Sequence, residues 1–192
     1  MDKFKNKYRI ETIRLKNWNY SWSGYYFITI CTKNNEHYFG VIENDKMIVN
    51  NLGEIAEKYL TEIPNHFKNV QIIEFIIMPN HIHCIIKINE TEKYNAETRQ
   101  CLVSTDNDII SKKNNRYQNQ GKNTISSIIG SYKSICTKVI NRIQNEIFFA
   151  WQPRFYDMII RNKKELENVI NYIKNNPKNF NNDLNDNFNS EL

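Results

Sequence analysis

The sequence predicts an α+β domain whose sheet is mostly antiparallel and whose helices pack on one face of it. Two observations carry this prediction. Short segments rich in aromatic and β-branched residues alternate with longer segments in which apolar residues recur every three or four positions. Their order along the chain is strand, hairpin, helix, strand pair, helix, strand, helix, which is typical of an α+β domain.

The predicted strands are short and are bounded by turn residues. The segment 25–32, Tyr-Tyr-Phe-Ile-Thr-Ile-Cys-Thr, has the composition of a strand. Residues 70–78 and 81–88 are predicted to form an antiparallel strand pair around the turn Pro-Asn at 79–80. We also expect a short hairpin over 41–49 and an extended segment over 148–160.

Three segments have the periodicity of amphipathic helices. The first covers residues 51–66, and the second, which has the longest apolar stripe, covers residues 125–143. The third begins near residue 162. We expect it to end at Asn176, because Pro177 disfavours helical geometry in the residue before it.

A length of 192 residues fits one domain with a sizeable core. We expect a single domain over residues 1–180, with a basic N-terminal arm at 1–20 and a polar insertion at 89–123, followed by a flexible tail at 181–192. The chain has no run of eighteen apolar residues and no apolar stretch of the signal-peptide type, so neither a membrane span nor export is expected. Its four cysteines lack CxxC spacing, which argues against a zinc ribbon or a disulfide framework.

The segment His-Ile-His at 81–83 is the sharpest local feature. On a strand, residues two apart face the same way and lie roughly 6.6 Å apart along the backbone. His81 and His83 could therefore offer imidazole nitrogens to one metal ion, while Ile82 packs on the opposite face. The alternative is a pair of polar residues on the solvated face of an antiparallel strand.

A second feature lies on the last predicted helix. Tyr172 and Asn176 are four residues apart, so they lie one above the other on one helical face. A hydroxyl and an amide oxygen could thus point jointly at a site. The alternative is a tyrosine that packs its ring and leaves its hydroxyl at the edge of the core.

Basic residues suggest where a polyanion would bind, and the net charge of +5 is compatible with one. The arginines of the segment 151–162 are interleaved with aromatic residues, which suits phosphate contact and base stacking but also suits a structural strand edge. The N-terminal arm is a second candidate, or a solvated segment. The predicted DNA contacts are Arg9, Arg14, Lys16, Arg154 and Arg161, and the candidates for stacking or core packing are Trp18, Trp22 and Trp151.

Five short motifs resemble, in their order and spacing, those of one family. They are Tyr-Tyr-Phe-Ile-Thr-Ile-Cys-Thr-Lys at 25–33, His-Tyr-Phe-Gly at 37–40, Met-Pro-Asn-His-Ile-His at 78–83, Trp-Gln-Pro-Arg-Phe-Tyr-Asp at 151–157 and Tyr-Ile-Lys-Asn-Asn-Pro at 172–177. With these motifs the chain resembles the REP-associated tyrosine transposases, which are single-tyrosine transposases of the HUH kind. The resemblance spans roughly residues 8–180.

The resemblance implies a ferredoxin-like or RNA-recognition-like sandwich. It implies that His81 and His83 bind Mg²⁺ or Mn²⁺, with Asn176 as the third ligand at a position where other members carry Gln. Tyr172 would attack single-stranded or hairpin DNA and leave a 5′-phosphotyrosine and a free 3′-hydroxyl. It further implies a prokaryotic, cytoplasmic protein associated with the nucleoid, and it leaves open whether the protein is a monomer or a homodimer.

Two other functions are compatible with parts of the sequence. One is a metal-free phosphoesterase of the two-histidine type, which would need a second histidine-containing strand motif around His37 or His66. The other is a catalytically silent protein, derived from a transposase, that still binds hairpin DNA. The presence of His81, His83 and Tyr172 together favours the enzyme.

Overall fold

A computed structural model describes residues 3–4, 7–8, 19–90, 123–143 and 148–183. The elements in chain order are β1 (Lys3–Phe4), β2 (Lys7–Tyr8), β3 (Gly24–Cys31), a 3₁₀ turn (Lys33–Asn35), β4 (Gly40–Glu43), β5 (Lys46–Val49), α1 (Asn51–Thr61), α2 (Ile63–His66), β6 (Val70–Ile77), β7 (His81–Ile88), α3 (Ile125–Ile143), β8 (Tyr156–Ile160) and α4 (Lys163–Asp183). Within these ranges, no helix combines the length and apolarity needed to span a bilayer. The predicted arm, insertion and tail fall largely outside the described residues and stay predictions.

Four strands form the central sheet in the order β6-β7-β3-β8, and each neighbouring pair is antiparallel. Along the chain these strands and the helices between them read β3, α1, β6, β7, α3, β8. A βαββαβ chain whose third strand lies between the first two is the ferredoxin-like arrangement. The predicted α+β class with a mostly antiparallel sheet is therefore confirmed.

Helices α1 and α3 cover one face of this sheet. The alternate side chains of the two central strands that point to this face are buried in one apolar core: Tyr26, Ile28, Ile30, Ile82, Cys84 and Ile86. The hydroxyl of Tyr132 in α3 donates a hydrogen bond of 3.0 Å to the carbonyl oxygen of Ala56 in α1, which joins the two helices. The predicted packing of helices on one face holds for this pair.

Helix α4 lies against the opposite face, where it forms a second and smaller apolar cluster. Val169 and Ile173 of α4 are buried there together with Ile85 of β7 and Ile160 of β8. The strand period of two sends Ile85 to this face and its neighbours Cys84 and Ile86 to the other. The remaining side chains of β7 on the α4 face include the two histidines of the predicted metal site.

The hairpin and the first helix follow the sequence closely. Asn44 and Asp45 have φ values of 50° and 60°, as the two central residues of the tight turn between β4 and β5. The side chain of Asn50 accepts hydrogen bonds from two backbone N–H groups of the first turn and so caps α1. The predicted helix over 51–66 is divided after Thr61, because Pro64 lacks the N–H that would continue it.

The last helix does not end at Asn176 as expected, because α4 continues through Pro177 to Asp183. Proline lacks an N–H group, so the carbonyl group four residues earlier loses its helical partner. Packing offsets that loss, since Phe180 is buried and its ring lies 6.2 Å from the ring of His81, centroid to centroid. Tertiary contacts thus override the local preference.

Two glycines, one in α1 and one in α3, differ in the space around them and give a matched test of how tightly these helices pack. A Cβ added at Gly53 in α1 would lie 2.4 Å from the carbonyl oxygen of Phe39, whereas a Cβ at Gly130 in α3 would meet nothing within 4 Å. We expect Gly53→Ala to lower the free energy of unfolding by about 1–3 kcal/mol through overpacking. Gly130→Ala should raise it by up to about 1 kcal/mol, because alanine has the higher helix propensity. Urea unfolding of both variants checks this, and equal effects would contradict it.

Candidate active site

The two histidines of the His-Ile-His segment lie on β7, a central strand of the sheet. Their side chains point to the α4 face and are both buried, and their ring centroids are 4.5 Å apart. Ile82 between them is buried in the core on the other face. The alternative of two polar residues on a solvated strand face is therefore wrong, because α4 covers this part of the sheet.

Each histidine is oriented by a polar neighbour. The Nδ1 atom of His81 donates to the side-chain oxygen of Asn80 at 2.7 Å, which leaves the lone pair on Nε2. The Nδ1 atom of His83 lies 2.9 Å from the hydroxyl oxygen of Thr29 on the neighbouring strand. His81 Nε2 is buried and has no hydrogen-bond partner among the described residues. Buried polar atoms of this kind are rare in proteins without a ligand or water to satisfy them.

Burial keeps both imidazoles neutral at pH 7. Desolvation is the main cause that lowers the pKa of His81 to about 4. The neighbouring Asn176 side chain raises this pKa in part, and His37 lowers it further. Desolvation also lowers the pKa of His83 well below its usual value, and the charge of a protonated His81 would lower it further. Neutral imidazole is the form that binds metal ions, so the pair is ready to coordinate a cation without first losing a proton.

Tyr172 of α4 brings its hydroxyl group to the histidine pair. The hydroxyl oxygen lies 3.4 Å from Nε2 of His83, and the tyrosine ring meets the ring of Phe27 edge to face at a centroid distance of 6.0 Å. The ring is 42% exposed, so solvent or a large substrate can reach it. The ring of Tyr172 therefore packs on Phe27, as the alternative expects, but its hydroxyl is directed at His83 and not at the edge of the core.

Asn176 lies one helical turn beyond Tyr172 and is only 1% exposed. Neither atom of its side-chain amide has a hydrogen-bond partner among the described residues, although the amide is close enough to His81 to act on the pKa of that residue. An amide that is buried without partners costs about 1–3 kcal/mol. The site therefore holds unsatisfied polar atoms from both α4 and β7, which a bound cation with its water ligands would satisfy.

The described residues contain no group of three or more His, Cys, Asp or Glu side chains that could hold a metal ion. The protein ligands at this site would therefore be the imidazoles of His81 and His83 and the amide oxygen of Asn176, with no carboxylate. Such a set fits a divalent cation that accepts nitrogen ligands and keeps several waters. It suits Mn²⁺ better than Mg²⁺, which prefers oxygen.

Comparison with known proteins supports the fold and identifies a relative. A protein of Haemophilus influenzae, described as uncharacterized, is 40% identical over 166 residues, which cover 86% of this chain and 87% of the relative. The chain belongs to the same family as this protein. The solved structure of the REP-associated tyrosine transposase bound to a REP hairpin superposes with a TM-score of 0.52 at 17% identity, covering 87% of this chain and 74% of the other. That similarity shows the shared fold. No family model matches the sequence.

The remaining predicted residues of this family member lie away from the histidine pair or outside the described residues. Arg154 and Arg161 are exposed at the two ends of β8, on the edge of the sheet. Trp151 is buried in the core, where its indole N–H donates to the carbonyl oxygen of Lys133 at 3.2 Å, so it serves core packing and not stacking on bases. Trp22 is partly exposed. The predicted contacts Arg9, Arg14 and Lys16, and the stacking candidate Trp18, lie outside the described residues.

Several residues of the site were not singled out by the sequence patterns. Asn80 and Thr29 orient the histidines, and Phe27 supports the tyrosine. Asn80 could have been found from its position directly before His81, whereas Thr29 and Phe27 become visible only when β3 is paired with β7. His37 also lies near the site, because its ring and that of His81 both pack on Phe180.

Proposed function

We propose that this protein cleaves and rejoins single-stranded DNA through a transient 5′-phosphotyrosine on Tyr172. The observation that carries the proposal is the position of the Tyr172 hydroxyl, 3.4 Å from Nε2 of His83, above a buried pair of neutral imidazoles. A partly exposed nucleophile beside a polar, unsatisfied and buried set of metal ligands is the arrangement that phosphoryl transfer needs. The resemblance to the REP-associated tyrosine transposases supports the same assignment.

The residues of the chain divide the reaction between them. The phenol of tyrosine has an ordinary pKa near 10, so Tyr172 is protonated at neutral pH and must lose its proton as its oxygen bonds to phosphorus. The bond from phosphorus to the 3′ oxygen then breaks, and that oxygen takes up a proton and leaves as a 3′-hydroxyl. A divalent cation bound at His81, His83 and Asn176 would polarise the scissile phosphate and offset the charge that develops on it.

The helix and the sheet position these groups before substrate binds. Ile173, next to Tyr172, is buried in the apolar cluster beneath α4, which fixes the height of the tyrosine above the sheet. Asn80 and Thr29 fix the ring orientations of the two histidines. A transfer whose energy is stored in the phosphotyrosine bond is reversible, so a second 3′-hydroxyl can reseal the strand without a nucleotide cofactor.

The rival functions receive less support from the described residues. His37 and His66 both lie outside the strands, so the second histidine-containing strand motif of a two-histidine phosphoesterase is not found among them. A protein that binds hairpins without cleaving them would not need a tyrosine hydroxyl next to two neutral histidines. It would bind DNA but form no covalent adduct.

The decisive experiment uses a pool of single-stranded DNA hairpins with randomised flanking segments. The protein is incubated with the labelled pool and Mn²⁺, and products are separated under denaturing conditions. We expect a cleaved strand and a covalent protein–DNA adduct that disappears when EDTA is present. Binding without any adduct would favour the silent hairpin-binding protein, and adducts that form in EDTA would contradict the metal assignment.

The two arginines at the ends of β8 are expected to bind phosphates. Removing one such arginine should reduce the slope of log K against log salt by roughly 0.7–0.9. We therefore expect Arg154→Ala and Arg161→Ala each to weaken binding of a hairpin with single-stranded flanks and to flatten its salt dependence. Arg142→Ala is the matched control, because the exposed Arg142 lies in the last turn of α3, which covers the opposite face of the sheet. Salt titrations by fluorescence anisotropy check this, and an equal change in the control would contradict it.

A further inference from the structure

The α4 face of the sheet is only partly covered by the helix. α4 packs against β6 and β7 and, near its start, against Ile160 at the end of β8. Toward the beginning of β8 the register pairs Tyr156 with Thr29 and Met158 with Phe27. Side chains of paired residues share a face, so Tyr156 and Met158 lie on the same face as the histidine site.

The exposure of these two side chains is unusual for their position. Tyr156 is 45% and Met158 38% exposed, while Asp157 between them points to the opposite, helix-covered face. A sheet with one open face normally places polar side chains there and apolar ones inside. On β8, by contrast, Tyr156 and Met158 are open to solvent on this face, and Met158 pairs with Phe27, whose ring contacts that of Tyr172. An exposed apolar patch next to a reactive group indicates a binding surface.

We propose that Tyr156 and Met158, with the partly buried ring of Phe27, form a platform on which unpaired DNA bases beside the scissile phosphate stack. This platform rests on the proposed function, because it takes single-stranded DNA as its ligand. Phe27 links the platform to the reaction site, since its ring lies 5.3 Å from that of His83 and 6.0 Å from that of Tyr172. A strand whose bases stack on Tyr156 would therefore pass close to the hydroxyl of Tyr172.

The charges around the platform favour a polyanion. Among the described sheet residues on this face, Glu74 is the one carboxylate, and its oxygen lies 3.4 Å from the ammonium group of Lys174. Exposed arginines flank β8, with Arg154 before it and Arg161 after it. Aromatic faces combined with nearby cations are the elements by which proteins hold single strands, and base stacking on such side chains tolerates every sequence.

The platform is held in place from below. The ammonium group of Lys133 in α3 donates hydrogen bonds of 2.7 Å to the carbonyl oxygens of Gln152 and Arg154, which lie just before β8. Arg154 itself has a φ of 69°, a backbone conformation that favours glycine, so this turn is constrained by its surroundings. A surface that is ordered before binding loses little conformational entropy when the strand is seated.

The test measures binding and does not depend on cleavage. A labelled oligo-dT of about 20 nucleotides, a length that exceeds one stacking site, is titrated in EDTA at low salt with wild type, Tyr156→Ala, Met158→Ala and Tyr156→Phe. We expect Tyr156→Ala to weaken binding about tenfold and Met158→Ala less, while Tyr156→Phe stays within about twofold of wild type because the aromatic face is kept. The matched control is Ile48→Ala, which removes an equally exposed apolar side chain on β5, outside the central sheet. Circular dichroism verifies that each variant is folded.

The outcomes separate the platform from the proposed function. Wild-type protein that does not bind oligo-dT, a Tyr156→Ala variant that binds as tightly as wild type, or an Ile48→Ala variant that loses as much would each overturn the platform. If Tyr156→Ala weakens binding of a fully paired duplex as strongly as that of oligo-dT, the residue contributes to general DNA contact and the platform is again wrong. Adduct formation by the wild type tests the proposed function separately, so adducts without any Tyr156 effect would leave that function standing.

Discussion

Tyr172→Phe is expected to abolish both strand cleavage and the covalent adduct, with a loss of at least about 10³-fold, because it removes the oxygen that we propose attacks phosphorus. The ring remains, so its contact with Phe27 and the fold should be preserved. The distance of 3.4 Å from the hydroxyl oxygen to His83 Nε2 is long for a hydrogen bond, and the contact is only partly buried. Removing the hydroxyl should therefore change the free energy of unfolding by less than about 1 kcal/mol. Denaturing electrophoresis of labelled DNA measures the adduct, and anisotropy measures binding, which should stay within about twofold.

Tyr156→Phe is the matched control for that experiment. Among the described residues, Tyr156 is a second exposed tyrosine on the sheet face that α4 covers, and its phenylalanine variant also keeps the ring and loses the hydroxyl. We expect Tyr156→Phe to form the adduct at a near-normal rate. An adduct that persists in Tyr172→Phe and is lost in Tyr156→Phe would assign the nucleophile to Tyr156 instead.

Removing either histidine is expected to have the second-largest effect. His81→Ala and His83→Ala should each reduce cleavage by at least about 10²-fold, because in the proposed site the two imidazoles would supply most of the protein's ligands to the cation. The same variants should lose the heat released when Mn²⁺ is titrated into the protein by calorimetry. Asn80→Ala, which removes the hydrogen bond that orients His81, should weaken Mn²⁺ binding by about 10–100-fold while leaving both ligands present.

His66→Ala is the control for the histidine variants, since His66 is exposed at the end of α2 and should be silent in both assays. Asn80→Ala distinguishes a loss of Mn²⁺ coordination from a loss of folded structure. If this variant is folded but binds Mn²⁺ more weakly, the defect is one of coordination. Normal cleavage by both histidine variants, or cleavage that continues undiminished in EDTA, would show that no metal is held at this pair.

Much of the fold could be predicted from local patterns. β7 has the predicted bounds, β6 ends one residue earlier than predicted, and β3 begins and ends one residue earlier than predicted. The hairpin and the helix over 125–143 were also predicted. These elements depend on side-chain periodicity and turn chemistry, which are properties of neighbouring residues. Pro177 shows where such reasoning fails, because α4 continues through it on the strength of contacts made by Phe180 with a distant strand.

The candidate site likewise combines features that local patterns predict with features that depend on the tertiary structure. Local patterns predict that His81 and His83 share one face of a strand and that Tyr172 and Asn176 share one face of a helix, because both facts follow from the repeat of a single element. That these two faces meet depends on tertiary packing. Tyr172 and His83 are 89 residues apart, and they come together because α4 packs on the sheet face that α1 and α3 leave open. The same packing buries the histidines, keeps them neutral and leaves Tyr156 exposed beside them, none of which a local pattern can specify.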